Sequence, residues 1–238
     1  MKTSGTLHLI PVGLSDAPTS VWLPSAVQAL AGRLTVYIAE NAKTARAFLK
    51  LVGTTTPLQE ITIHTLSAKT DAREIREWLA PATKGAEIGL VSEAGCPAVA
   101  DPGAKVAAMA HEIGIRVAPW VGPSSILLAL MASGLEGQRF TFHGYAPVEP
   151  GERAKQLKQW EAESRRQRQS QILIETPYRN DAMLSTLTHA LNGRTRLCVA
   201  RSLTAEDEWI QTHTIEHWKT LSPPELNKKP TIFLFLAP

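Results

Sequence analysis

The sequence predicts an α/β fold of two α/β domains, with a mostly parallel sheet in the first and a mixed sheet in the second. Three observations support this fold class. From residue 6 to residue 118, short apolar runs alternate with helical patterns. Loops rich in glycine and proline follow several of these runs. In the final third the alternation becomes typical of hairpin strands. We therefore expect one domain over residues 1–120 and another over residues 121–238.

The elements of the first domain follow in a regular order. Apolar runs predict strands at 6–10, 34–39, 60–65, 88–91 and 115–118. Helical patterns lie between them at 23–31, at 43–51, after a capping Asp71, and from Gly103 to a closing Gly114. Strands joined through helices run parallel, so their carboxyl ends share one edge of the sheet. In open α/β sheets that edge is where ligands bind.

The second domain begins with a strongly apolar helix at 126–133. Ser124 or Ser125 is a suitable N-cap for it, and its apolar surface on all sides predicts a helix buried between layers. Further patterns predict helices at 152–167 and 181–191 and strands at 139–143, 171–175, 196–200, 208–215 and 231–236.

Composition narrows the possible classes of protein. The chain has 238 residues, of which 44% are hydrophobic and 20% charged, as in ordinary globular proteins. The longest apolar run, 126–132, is too short to cross a bilayer, and residues 6–10 are too short for a signal sequence. Cys96 and Cys198 have no metal-site spacing, which favours a reducing, cytoplasmic compartment.

Two loops of the first domain carry the strongest local signal, at 92–103 and 119–123. Small residues let backbone approach a ligand closely, and prolines make the loops stiff and rich in free carbonyl groups. Neither G-x-G-x-x-G after a strand nor a P-loop motif occurs in the chain, so a nucleotide phosphate cradle is not expected. The loops suit an amino-acid and ribose moiety better.

Acidic residues stand at predicted strand ends near these loops. Glu40 is the first candidate for a general base or a substrate contact, although an ion pair with Lys43 or Arg46 is an equal alternative. Asp101 is the second catalytic candidate, and its alternative is to accept hydrogen bonds from loop N–H groups.

Other acidic, basic and histidine residues have two interpretations each. Glu93 and Glu175 also face the expected ligand edge, and Glu175 can instead pair with Arg179. Arg165, Arg166 and Arg168 can grip a polyanion or form a solvated helix end. His143 ends a strand and is more typical of a packing residue. His213 and His217 lack a third ligand, so no metal site is expected.

Seven ordered segments with compatible spacing occur along the chain. They are GTLHLIPVG from Gly5, AENAKTAR from Ala39, VSEAGCPAVADPG from Val91, GPSSILLALMASGL from Gly122, RFTFHGYAP from Arg139, ETPYR from Glu175 and VARSLT from Val199. Together they resemble the tetrapyrrole methylase superfamily of S-adenosylmethionine methyltransferases. Within it, the likeness is to the bacterial branch that methylates a ribose 2′-hydroxyl of a cytidine in small-subunit ribosomal RNA.

The resemblance implies a cofactor and the residues that hold it. It implies two α/β domains with S-adenosylmethionine in the cleft between them, a homodimer, and an RNA or small-subunit partner, with no DNA or membrane partner. Carried over by position, the cofactor-binding residues are Pro11, Ala94, Gly95, Cys96, Val99, Ser124, Ser125, Thr176, Leu203, Pro230 and Thr231. The alternatives are a methyltransferase acting on tetrapyrrole carbon and a cofactor-binding adaptor without catalysis.

Overall fold

A five-stranded parallel sheet forms the centre of the first half of the chain. The computed structural model describes residues 5–238 and divides the chain into two compact units, Met1–Ser124 and Ser125–Pro238. In the first unit the strands are β1 (Thr6–Leu9), β2 (Val36–Ala39), β3 (Thr62–Thr65), β4 (Glu87–Val91) and β5 (Arg116–Pro119). Their order in the sheet is β3-β2-β4-β1-β5, and every neighbouring pair is parallel. The predicted parallel sheet is confirmed.

Helices cover both faces of this sheet. They are α1 (Thr19–Trp22), α2 (Ser25–Arg33), α3 (Ala42–Val52), α4 (Ala72–Leu79) and α5 (Gly103–Glu112), with short 3₁₀ helices at Leu58–Glu60 and Ala80–Lys84. Successive side chains of β2 point to opposite faces, so Tyr37 and Ile38 belong to two separate hydrophobic clusters. Asn41 caps α3, and Asp71 forms a capping box with Glu74 at the start of α4.

The second unit contains a mixed sheet of five strands. Its elements are α6 (Ser125–Ser133), β6 (Phe140–Tyr145), α7 (Pro150–Gln167), β7 (Ser170–Ile174), α8 (Asn180–Ala190), β8 (Arg196–Arg201), β9 (Trp209–Thr214), α9 (Ile215–Trp218) and β10 (Thr231–Leu236). The strand order is β6-β7-β10-β8-β9. Only the β6–β7 pair is parallel, and the three remaining pairs are antiparallel. The predicted mixed sheet is therefore confirmed.

One face of the second sheet carries the main hydrophobic core of this unit. Leu157 and Trp160 of α7 pack there with Leu187 of α8 and with Phe233 and Phe235 of β10. These β10 side chains are fully buried because β10 lies in the middle of the sheet, with a neighbour on each side.

Helix α6 differs from its sequence-based prediction. It was expected to be buried on all sides, but within this chain Leu127 is 53% and Met131 78% exposed. The reason is that α6 lies against β8, β9 and β10 and buries only one face, which includes Ala129 and Leu130.

The sequence also missed the short elements. Helices α1 and α9, with four residues each, and the 3₁₀ helix at Leu58–Glu60 have too few turns to show a periodic pattern. The compact units divide between Ser124 and Ser125. The division into domains at residues 1–120 and 121–238 stays a prediction. Across residues 5–238 no helix is both long and apolar enough to cross a membrane.

Candidate functional site

The loops that follow β1 and β4 are joined at the carboxyl edge of the first sheet. These strands are neighbours, so the chain segments after them leave the sheet side by side. The Val12 N–H donates to the Gly95 carbonyl at 3.0 Å, and the Gly95 N–H donates to the Val12 carbonyl at 3.2 Å. Gly95 has φ +74°, a left-handed conformation that favours glycine. Val12 was not predicted as part of the site, because nothing in the sequence indicates this pairing.

The loop after β5 packs against the same two segments. A Cβ on Gly122 would lie 2.3 Å from Pro11 Cβ, so only glycine allows this approach. The Cys96 thiol donates to the Pro123 carbonyl at 3.4 Å. The structure thus brings together Pro11, Gly95 and Cys96, three of the residues expected to hold the cofactor, and places Ser124 one residue beyond Pro123. Burial raises the pKa of the Cys96 thiol, which favours a neutral packing residue over a nucleophile.

The loop at 92–103 is held in an unusual backbone conformation. Ala98 and Ala100 have φ of 67° and 59°, which costs residues with a Cβ on the order of 1–3 kcal/mol each. Asp101 Oδ1 offsets part of this cost by accepting hydrogen bonds from Ala98 N at 2.8 Å and Gly103 N at 2.7 Å. The loop-anchoring alternative for Asp101 is therefore observed, and its catalytic role stays a prediction.

Two further residues of this loop lie at the surface. Ala94 is exposed, and Val99 is 48% exposed despite its apolar side chain. Both were expected to contact the cofactor. Their exposure leaves them accessible to a ligand, and the contact itself stays a prediction.

Glu40 forms an acidic group with Glu93 and Asp101, the two carboxylates of this loop. Burial raises the pKa of Glu40, and the negative charges of Asp101 and Glu93 raise it further. Burial also raises the pKa of Asp101, against the effect of its two backbone hydrogen bonds. The Thr44 hydroxyl donates to Glu93 Oε1 at 2.5 Å, a contact that the sequence did not indicate.

Glu40 itself has no ionic partner within residues 5–238. The expected alternative, an ion pair with Lys43 or Arg46, is not formed there. Its carboxylate is half-buried at the end of β2, with a raised pKa and no neighbouring cation bound to it. These are properties of a group that can accept a proton.

The remaining expected cofactor residues lie in the second unit. Thr176 follows β7, Leu203 follows β8, and Pro230 and Thr231 lead into β10. Strand β10 is antiparallel to both β7 and β8, so its beginning meets their ends at one edge of the sheet. The Ser202 N–H donates to the Pro230 carbonyl at 2.8 Å. The topology thus groups these residues, and Ser125 begins α6. Their cofactor role stays a prediction.

An ion pair with a buried carboxylate stands beside Thr176. Arg179 Nη2 donates to Glu175 Oε1 at 2.5 Å, which confirms the expected pairing, and the Glu175 side chain is 0% exposed. The Thr176 N–H donates to the same oxygen at 2.7 Å, and Arg179 Nε donates to the Thr176 hydroxyl at 3.2 Å. Glu175 Oε2 has no hydrogen-bond partner in the described part of the chain. The pair fixes the backbone at Thr176.

His143, His213 and His217 each contact another side-chain ring. His143 stacks on Trp160 with ring centroids 3.9 Å apart and hydrogen-bonds Gln171 at 2.6 Å, and burial lowers the pKa of His143. These contacts support the packing interpretation. The rings of His213 and His217 lie 4.7 Å apart. In the described range, 5–238, no three His, Cys, Asp or Glu side chains are grouped as a metal site.

Comparison with known proteins matches this chain to a methylase family and to named methyltransferases. The family model for tetrapyrrole (corrin/porphyrin) methylases matches residues 7–218. The ribosomal RNA small subunit methyltransferase I of Xylella fastidiosa (strain Temecula1) is 31% identical over 240 aligned positions, covering 100% of this chain and 82% of that protein. The protein of the same name from Bacillus subtilis (strain 168) is 31% identical and covers 89% of this chain and 68% of its own length.

Solved structures share the fold at low sequence identity. The methyltransferase CobJ has a TM-score of 0.64 at 18% identity, covering 98% of this chain and 95% of that chain. Uroporphyrin-III-C-methyltransferase from Thermus thermophilus has a TM-score of 0.55 at 16% identity, covering 98% and 92%. The match of the family model over residues 7–218 establishes that the chain belongs to the tetrapyrrole (corrin/porphyrin) methylase family.

Proposed function

We propose that this chain is an S-adenosylmethionine-dependent methyltransferase that acts on small-subunit ribosomal RNA, with a ribose 2′-hydroxyl as the acceptor. The observation that carries the proposal is the 31% identity over the whole chain to a protein named ribosomal RNA small subunit methyltransferase I. The solved tetrapyrrole methyltransferases are 18% and 16% identical, and likeness at that level supports the fold alone. RNA is therefore favoured over a tetrapyrrole as the substrate.

The chemistry of the first-unit loops fits this cofactor. Residues 92–103 contain no lysine or arginine, which a phosphate-bearing cofactor would favour, and they include two carboxylates, Glu93 and Asp101. Such a site suits a cation with an amino-acid moiety. When bound, S-adenosylmethionine supplies a methyl group attached to a positively charged sulfur. Pro11, Gly95, Cys96 and Ser124 would hold it through close backbone approach, together with the exposed Ala94 and Val99.

Glu40 is the residue that we assign to proton removal. A ribose hydroxyl is a poor nucleophile until it loses its proton, so a carboxylate within reach contributes about 10²- to 10⁴-fold to the rate. Burial and the charges of Asp101 and Glu93 raise the pKa of Glu40 and so increase its basicity. Asp101 holds the loop through hydrogen bonds from Ala98 and Gly103 to Oδ1. Its second carboxylate oxygen is a further candidate for proton removal.

Alignment of the reacting atoms is the other task of the chain. The sulfonium methyl is already activated, so the rate depends on holding acceptor, methyl carbon and sulfur in line and on excluding water. The stiff, hydrogen-bonded loops at 92–103 and 119–123 are suited to this task because they lose little conformational freedom on binding.

The proposal also includes the cellular compartment and the oligomeric state. We place the protein in the cytoplasm, where the unpaired thiols of Cys96 and Cys198 are in their normal state. We propose a homodimer because of the family resemblance. Sedimentation equilibrium tests this by measuring the mass of the assembly in solution.

Calorimetric titration tests the cofactor assignment. S-adenosylmethionine and S-adenosylhomocysteine are titrated into the purified protein, with adenosine triphosphate as the matched control ligand. Saturable binding of the first two and none of the third supports the proposal. Absence of binding contradicts it. Cofactor binding without turnover on any RNA would favour the adaptor alternative.

A further inference from the structure

Six exposed arginines lie near one edge of the second sheet. They come from three separate segments of the chain: Arg139 precedes β6, Arg165, Arg166 and Arg168 stand at the end of α7 just before β7, and Arg194 and Arg196 stand at the start of β8. We call this set the arginine edge. In the sequence, only Arg165, Arg166 and Arg168 form a basic run. The other arginines are separated from this run by a strand and a helix on each side.

Sheet topology places Arg139, Arg168 and Arg196 at the starts of three strands, along one edge of the sheet. Strands β6 and β7 are parallel, and β7 and β8 are both antiparallel to β10, so β6, β7 and β8 all start at the same edge. Phe140 pairs with Ser170, and Arg196 pairs with Leu236 at the end of β10. From β6 to β8 is three strand spacings, or about 14 Å. Arg139, Arg168 and Arg196 therefore span a distance that several phosphates of a nucleic-acid strand can occupy.

The arginine edge contains few ion pairs. Among the described residues, only Arg166 of the six makes an ion pair, with Glu163 at 3.3 Å. Arg139 Nη1 donates to the Gln167 carbonyl at 3.5 Å, and Arg196 Nη1 donates to the Gly134 carbonyl at 3.1 Å. These bonds hold the Arg139 side chain against the end of α7 and the Arg196 side chain against the segment after α6, and they leave further N–H donors of both guanidinium groups available to a ligand.

One acidic side chain near the edge, Glu161, is directed into the interior. Glu161 is 9% exposed and is occupied by the Asn192 N–H and the Thr195 hydroxyl, which fix the turn before β8. Helix polarity explains only part of the cluster. Arg165 and Arg166 complement the carbonyl end of α7, but Arg139, Arg194 and Arg196 lie outside that helix.

An aromatic side chain accompanies the arginines. Phe140 is 40% exposed and is the first residue of β6, the outermost strand of the sheet on that side. Exposed aromatic side chains beside basic groups are typical of surfaces that bind single-stranded nucleic acid, because bases stack on the ring while cations bind the backbone.

We infer that the arginine edge binds the phosphate backbone of the RNA substrate at a distance from the reacting nucleotide. The edge lies at the opposite end of the second sheet from Thr176, Leu203 and Thr231, which stand after β7, after β8 and at the start of β10. The inference rests on the proposed function for the identity of the polyanion. The binding itself is measurable without methyl transfer.

Fluorescence anisotropy with a labelled, mixed-sequence single-stranded RNA tests the inference over a series of potassium chloride concentrations. The test variant is R139Q/R168N/R196Q, in which asparagine tolerates the φ of +52° at position 168. One control, K50Q/R73Q/K84Q, removes the same charge from exposed positions of the first unit. A second control, R139K/R168K/R196K, keeps the charge at the edge.

The test variant should bind RNA at least about tenfold more weakly, and the slope of log K against log salt should fall by about 2, since each phosphate contact contributes about 0.7 for a single strand. The first control should bind as the wild type does, and the lysine variant should keep most of the affinity. The affinity for S-adenosylmethionine should be unchanged in all of them. In turnover assays KM should rise at constant kcat, because the contacts are equal in ground and transition states.

Three results would overturn the inference. An unchanged affinity and salt slope in the test variant would show that the edge does not contact RNA. A loss of affinity equal in the glutamine and lysine variants would indicate a structural effect. A change in sedimentation with unchanged RNA binding would assign the edge to a protein contact. If the wild type binds RNA through this edge but transfers no methyl group, the proposed function fails while the inference stands.

Discussion

Val12 and Gly95, 83 residues apart in the chain, exchange two backbone hydrogen bonds of 3.0 and 3.2 Å. This bridge joins the loop after β1 to the loop after β4, and Gly95 is the residue whose conformation permits it. The candidate cofactor site of the first unit is organised around this contact, since Pro11 precedes Val12 and Cys96 follows Gly95.

Replacing Gly95 by alanine should weaken cofactor binding. A Cβ there would lie 3.3 Å from Leu14 Cδ2 and 3.4 Å from the Pro123 carbonyl, on a backbone with φ +74°. If the free loop relaxes to relieve this contact, cofactor binding must return the loop to its original conformation. Each 1.4 kcal/mol, roughly, that this return costs lowers the affinity about tenfold. We expect a loss of at least about tenfold by calorimetry.

Gly114→Ala is the matched control for this variant. Gly114 has nearly the same φ, +75°, with nothing within 4 Å of an added Cβ. The left-handed conformation costs each variant about 1–2 kcal/mol in the free energy of unfolding. Affinity for S-adenosylmethionine should fall only in Gly95→Ala. An equal fall in both would mean that general destabilisation, not the loop, is responsible.

Glu40→Gln should abolish most turnover and leave cofactor binding intact. The amide cannot accept the ribose proton, so kcat should fall by about 10²- to 10⁴-fold. Single-turnover methyl transfer and calorimetry measure the two properties separately. Glu60→Gln, an exposed carboxylate outside the acidic group, is the control and should retain wild-type rates. A parallel loss of cofactor affinity in Glu40→Gln would remove Glu40 from the role of base.

Asp101→Asn should move the acid limb of the pH–rate profile to lower pH. Burial is the main cause of the raised pKa of Glu40, and the charge of Asp101 is the next. Asparagine keeps an Oδ1 that accepts from Ala98 and Gly103, so the loop is retained while the charge is lost. The pKa of Glu40 should fall, and the deprotonated base should persist at lower pH. An acid limb that stays in place would mean that Glu40 does not control it.

Arg179→Ala should destabilise the second unit. The change leaves the buried Glu175 carboxylate with the Thr176 N–H but without its cation, and loss of such a cation typically costs about 3–5 kcal/mol in the free energy of unfolding. Arg166→Ala, which breaks the exposed pair with Glu163, should cost at most about 1 kcal/mol. Urea denaturation compares the two. Adding Glu175→Gln to Arg179→Ala should recover part of the loss, because it removes the unpaired charge; no recovery would contradict this account.

The fold was predictable wherever sequence patterns are local. Both sheets and most elements follow from apolar runs and caps such as Asp71, which act within a few residues. Met131 shows the limit of that approach: an apolar pattern predicts burial but does not state which face meets the sheet.

Most contacts at the candidate site could not be predicted from the sequence. The Val12–Gly95 bridge, the Thr44–Glu93 bond and the arginine edge each depend on the register between distant strands. Likewise, the sequence left the role of Asp101 open, and only its two hydrogen bonds show that it anchors the loop.

Methyl transfer to ribosomal RNA tests the central claim most directly. Unmodified small-subunit ribosomal RNA, transcribed in vitro and used both free and assembled into subunits, is incubated with the protein and S-adenosylmethionine carrying a tritiated methyl group, and the nucleosides are then identified by mass spectrometry. The account predicts a 2′-O-methylated nucleoside that is absent with Glu40→Gln and retained with Glu60→Gln. No methylated nucleoside from either form of the RNA, with cofactor binding intact, would contradict it.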